Sequence, residues 1–137
     1  MKIYTGYYAN MKMYREKGLC LIAISLGVPP WAPGLPNMRS LNPLKNMLKM
    51  EREEYEPMYN AILKGLDCKE LVAKLEVISG GKDVVLLCFE KPTDFCHRQL
   101  VAAWLTENGY EAGEFFIAVK LADTRPVKKK PQQMELF

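Results

Sequence analysis

The run Val84-Val85-Leu86-Leu87-Cys88-Phe89 contains no polar residue, and this limits what the chain can fold into more than any other feature. A half-exposed strand would alternate apolar and polar positions, whereas an unbroken apolar run of strand length needs cover on both faces. Leu19-Cys20-Leu21-Ile22-Ala23-Ile24 repeats the pattern, and Lys2 to Tyr7 adds a short strand rich in aromatic and β-branched residues. Asn10 to Lys17 is long enough for a helix ended by Gly18, so the strands on either side of it are expected to run parallel. Asp67 and Glu70 resemble a capping box ahead of Leu71, Val72, Leu75 and Ile78 at helical spacing, and Gly80-Gly81 closes that helix. Further helices are expected from Asn42-Pro43 through Leu48, around Tyr55 to Leu63 with Pro57 in the first turn, and from Cys96 to Asn108. Phe115-Phe116-Ile117 offers a last strand. The alternation predicts a single α/β domain with a mostly parallel sheet of about four strands covered by helices.

Composition agrees with one folded core. The chain has 137 residues, 49% of them hydrophobic and 26% charged, which excludes a disordered chain or a collagen-like repeat as the main body. No apolar run approaches the roughly 18 residues of a membrane span, and Met1-Lys2-Ile3-Tyr4 leads into a strand instead of a signal peptide. A cytoplasmic location without a membrane partner is expected, and with it reduced thiols at Cys20, Cys68, Cys88 and Cys96. The net charge of +3 is confined to the end of the chain. Residues 1–119 hold fourteen Lys or Arg against fourteen Asp or Glu, and the excess lies in residues 120–137. The expected division is therefore an α/β domain over 1–119 and a basic Pro/Lys tail over 120–137. A neutral body argues against a broad duplex-DNA face.

Chemistry concentrates where the strongest strand becomes a helix. Cys88 and Glu90 fall on one side of the strand end, and Cys96, His97 and Arg98 follow at the first turn of the next helix. A helix N-terminus and the Arg98 guanidinium both favour an anion there, so Cys96, His97 and Arg98 are the expected anion-binding residues. The same field favours a thiolate, which makes Cys96 the better nucleophile and Cys88 the second choice. The Cys-to-Arg spacing is too long for a phosphatase-type cradle. A metal site lacks the usual closely paired ligands, and no metal or cofactor is assigned. The plainer alternative is two small core cysteines, a Glu90–Arg98 pair and a locally packed His97. The loop Gly27 to Pro36, at a strand end, lies where open parallel sheets usually bind ligands, with Trp31 expected to cover a core edge.

Leu87-Cys88-Phe89-Glu90-Lys91-Pro92 followed by Cys96-His97-Arg98 and a helix carrying Trp104 resembles the signature of the DUF488 family, and Ile3-Tyr4-Thr5-Gly6-Tyr7 resembles that family's first strand. The resemblance spans roughly residues 1 to 117. It implies a small α/β domain with a shared site at Cys88, Glu90, Cys96, His97 and Arg98, and a family activity that is itself unsettled. The family's Asp-Val-Arg after the second strand is replaced by Ile24-Ser25-Leu26-Gly27, which leaves that role to Ser25 or Arg39 if it is filled. The expected function is an anion-binding, catalytic pocket acting on a nucleotide or nucleic acid. The rival is a non-catalytic adaptor.

The chain ends in Gln133-Met134-Glu135-Leu136-Phe137 after a spacer rich in lysine and proline. An apolar pair held off the body suits a partner's groove better than a core. The peptide resembles the motif by which bacterial and phage proteins bind the DNA sliding clamp. That resemblance implies contacts from Gln133, Met134, Leu136 and Phe137, with nearby lysines adding attraction to DNA.

Overall fold

The computed structural model describes residues 1–32, 34–89 and 96–115. The elements are β1 (Ile3–Tyr7), α1 (Met11–Glu16), β2 (Cys20–Ala23), α2 (Arg52–Lys64), α3 (Cys68–Ser79), β3 (Val84–Cys88), α4 (His97–Glu107) and β4 (Ala112–Glu114). The four strands form one parallel sheet in the order β2-β3-β1-β4. β3 is interior, and each of its five residues is buried. The unbroken apolar run thus has its physical cause: both faces are covered.

The pleat divides that run between two cores. Val84 and Leu86 pack with Ile22, Tyr59, Leu71, Leu75, Val101 and Leu105 against α2, α3 and α4. Val85 and Leu87 pack with Leu21, Ala23, Tyr8, Met11 and Tyr14 on the α1 face. Asp67 caps α3 by accepting the Glu70 backbone N–H at 3.1 Å. Gly80, at φ 65°, supplies the left-handed residue that ends it.

Four local expectations differ from the structure. No α-helix forms from Asn42; only short 3₁₀ turns occur at Arg39–Leu41 and Lys45–Met47, because of the three spaced residues Leu44, Met47 and Leu48 only Met47 is buried and the two leucines are exposed. Pro57 lies in the second turn of α2, not the first, where buried Tyr55 and Tyr59 anchor the helix on either side of it. The last strand is Ala112–Glu114, three residues upstream of the expected segment, and the Phe115 N–H still donates to the Thr5 carbonyl at 2.8 Å. Phe116 and Ile117 lie outside the described residues. Trp31 is 64% exposed and covers no core edge; the loop is anchored instead by Ala32, Val28 and Leu35, which pack against the α1-face core while the indole points out.

Candidate functional site

Parallel strands deliver their carboxyl ends to one edge of the sheet. At that edge the ends of β2 and β3 and the start of α4 surround a cavity of about 360 Å³. Ser25 and Gly27 line it from the β2 side, Met47, Arg52 and Tyr55 from the opposite wall, and Cys88, Phe89, Cys96 and His97 from the β3–α4 turn. Phe89 is half exposed and meets Tyr8 edge-on at 4.9 Å, so an aromatic surface stands beside the cavity.

Cys88, Cys96 and His97 converge there, each almost fully buried. Cys96 is the N-cap of α4, in extended backbone, and His97 is the first helical residue. Cys88 and Cys96 are joined as a disulfide with a Cα–Cα distance of 7.3 Å. The expectation of four reduced thiols is corrected for these two; β3 ends and α4 begins side by side, which brings together cysteines eight positions apart. Cys20 and Cys68 are free, with burial raising both thiol pKa values.

The imidazole of His97 is held from behind. Its Nε2–H donates to the Ile24 carbonyl at 2.6 Å. A carbonyl can only accept, so the neutral ring carries its proton on Nε2 and leaves the Nδ1 lone pair free. That lone pair faces both sulfurs, 3.5 Å from Cys88 Sγ and 3.5 Å from Cys96 Sγ. Burial pushes the His97 pKa down to about 4, the Arg98 charge adds to the effect, and the Ile24 hydrogen bond opposes it. The ring also meets Tyr59 edge-on at 5.3 Å.

Arg98 goes elsewhere. Consecutive helical residues point about 100° apart, and Arg98 is fully buried on the β1–β4 side, its Nε donating to Glu114 Oε1 at 3.0 Å. Thr5 donates to the same oxygen at 2.7 Å. Arg98 is not among the described residues lining the cavity. Glu90 lies outside the described residues, as do residues 116–137 with Gln133, Met134, Leu136 and Phe137. Ser25 is buried at the cavity wall and shares a 2.6 Å hydrogen bond with the Tyr8 hydroxyl, whereas Arg39 is exposed on a 3₁₀ turn away from it.

Several contributors carried no signal in the sequence. Ile24 acts through its backbone carbonyl, which no residue type announces. Tyr55, Tyr59 and Met47 read as ordinary helical core residues, and Arg52 as part of a solvated charge run.

Residues 27–109, more than half of the chain, match the profile of DUF488-N3a, described as the active DUF488-N3 subclade. The chain belongs to the DUF488 family. The matched segment includes the whole of the β3–α4 turn, so the DUF488 signature and the cavity coincide. Neither a curated protein nor a solved structure matches the chain. Among the described residues, no helix is long and apolar enough to cross a membrane.

Proposed function

We propose that the cavity is a binding and catalytic site for a nucleotide or a nucleic-acid end, with Cys88, Cys96 and His97 as its reactive wall. The observation that carries this reading is the convergence of two sulfurs and a free imidazole lone pair on one cavity at the carboxyl edge of a parallel sheet. Phe89 supplies a face on which a base can stack, and the N-terminus of α4 supplies positive potential for a phosphate, with Arg52 at the cavity wall sharing its charge with Glu56 at 3.1 Å. Arg98 is a scaffold residue in this reading, since its Nε is committed to Glu114. The profile description "active" supports catalysis over a purely adaptor role. Residues 120–137 are the recruiting segment, with Gln133, Met134, Leu136 and Phe137 docking on a DNA sliding clamp.

The test is calorimetry of the reduced full chain against nucleoside mono- and diphosphates and short single-stranded oligonucleotides, followed by chromatography of the incubated ligand. Binding is expected to weaken at least about fivefold in Phe89→Ala, as stacking on an aromatic is worth about 1–3 kcal/mol. Absence of binding to every ligand, or binding indifferent to Phe89→Ala, would overturn the reading.

A further inference from the structure

The disulfide leaves two features of the cluster without an explanation. The first is the His97 lone pair. A disulfide sulfur carries no proton to donate, yet the Nδ1 lone pair is aimed at two sulfurs, each 3.5 Å away. A tetrahedral zinc ion with Zn–S bonds of about 2.3 Å and a Zn–N bond of about 2.0 Å holds its sulfur and nitrogen ligands roughly 3.5 Å apart. Both pairs already have that separation. The second is the spacing of the backbone. The Cα atoms of Cys88 and Cys96 are 7.3 Å apart, beyond the roughly 4.4–6.8 Å that disulfides usually span.

We infer that, once reduced, Cys88, Cys96 and His97 form a three-ligand site for zinc or a similar thiophilic divalent cation, with the fourth coordination position open to the cavity. All three ligand atoms lie within 4.8 Å of one another and all three residues are buried. The Nε2–H bond to the Ile24 carbonyl is the outer contact that metal-ligating histidines characteristically make, fixing both tautomer and ring direction before any ion arrives. Two thiolates and a neutral imidazole suit zinc, and three protein ligands with one open position are the pattern of catalytic zinc, not structural zinc.

The chemistry balances. A cellular thiol reductant delivers two electrons and two protons to the disulfide, giving Cys88–SH and Cys96–SH and oxidising the reductant to its own disulfide. The dication then displaces both thiol protons and forms two S–metal bonds and one Nδ1–metal bond. A water at the fourth position would have its pKa lowered towards neutrality and become a nucleophile held at the cavity wall. That last role rests on reading the cavity as a substrate site; the metal binding does not.

The full-length chain should be reduced, freed of metal and titrated with Zn²⁺ in competition with a chromophoric chelator, and in parallel with Co²⁺ as a spectroscopic probe. One equivalent of metal is expected, with thiolate-to-cobalt charge transfer and a tetrahedral ligand-field band. Cys88→Ser, Cys96→Ser and His97→Ala should each weaken binding at least about tenfold, the lower end of what even outer contacts contribute. His97→Cys guards against a mere folding defect: it should keep one equivalent and intensify the charge-transfer band. Cys20→Ser with Cys68→Ser should leave the stoichiometry unchanged. Less than about a tenth of an equivalent in the reduced, folded protein, or binding that survives both Cys88→Ser and Cys96→Ser, would overturn the inference. Nucleotide binding by the metal-free protein is measured separately, so the metal site and the proposed function can fail independently.

Discussion

His97 donates its Nε2–H to the carbonyl of Ile24, 2.6 Å away and 73 positions earlier in the chain. This bond ties the start of α4 to the residue that follows β2, and it decides which ring nitrogen faces the sulfurs of Cys88 and Cys96. The reactive wall of the cavity therefore depends on the packing of β2 beside β3 as much as on the residues of the β3–α4 turn.

The buried neutral His97 predicts an acid-labile fold. Its folded pKa of about 4 lies below the ordinary 6.5, so the unfolded chain binds the extra proton between these values. The stabilisation is complete above about pH 6.5 and is lost as pH falls towards 4, amounting to about 3 kcal/mol. Burial against groups such as Tyr59, edge-on at 5.3 Å, is the main cause; the Arg98 charge adds to it at a distance, with its guanidinium turned to Glu114, and the Ile24 hydrogen bond opposes it. Urea unfolding of the metal-free, oxidised protein from pH 4 to pH 7.5 should show this slope, and His97→Ala should flatten it. An unchanged slope in the variant would assign the acid lability to other groups.

Arg98 should matter for stability rather than for ligand affinity. Among the described residues its Nη1 and Nη2 atoms have no hydrogen-bond partner, so Glu114 is its main compensation in the core. Glu114→Ala would leave a buried, uncompensated guanidinium and should cost about 3–5 kcal/mol. Arg98→Met combined with Glu114→Leu should recover most of that loss. If Glu114→Ala unfolds at the same urea concentration as the parent, the guanidinium is compensated by something else.

Thiol counting checks the covalent link. Unfolded without reductant, the protein should present two thiols, Cys20 and Cys68, to a chromogenic disulfide reagent, and all four cysteines after reduction. Four thiols before reduction would make the open dithiol the resting form.

Gly6 lets β1 pass directly beneath Tyr14 on the α1 face. A Cβ there would meet the Tyr14 hydroxyl and ring. That hydroxyl accepts the Tyr7 backbone N–H at 3.2 Å. Gly6→Ala should lower stability by about 1–3 kcal/mol through overpacking. Tyr14→Leu in the same chain should relieve part of the penalty, so a strictly additive double variant would show that the two residues do not compete for space.

Deletion of Leu136 and Phe137 should abolish binding to a sliding clamp while leaving the melting temperature of the body unchanged. The full-length protein is expected to bind at about micromolar strength, because a short peptide must lose conformational freedom to dock. A fall in melting temperature, with no clamp binding by the intact chain, would return these residues to the core.

The sheet was legible in the sequence because a strand buried on both faces must be apolar throughout. Leu19–Ile24 and Val84–Phe89 have few other ways to satisfy that pattern, and the Asp67 cap and Gly80 stop mark α3 by local chemistry alone. Cys88, Cys96 and His97 were legible as reactive residue types crowded at a strand-to-helix turn. Local pattern failed where an element draws its stability from distant partners: the segment after Asn42 has helical spacing but no surface to receive Leu44 and Leu48, so it settles into 3₁₀ turns. Only the tertiary structure could separate His97 from Arg98. Neighbours in sequence, they leave the first turn of α4 about 100° apart, one directed to the sulfurs and the other to Glu114. Each direction is set by a distant partner, Ile24 just after β2 for one and Glu114 on β4 for the other. Those partners come within reach only when the parallel strands assemble in the order β2-β3-β1-β4, and no local propensity encodes that order.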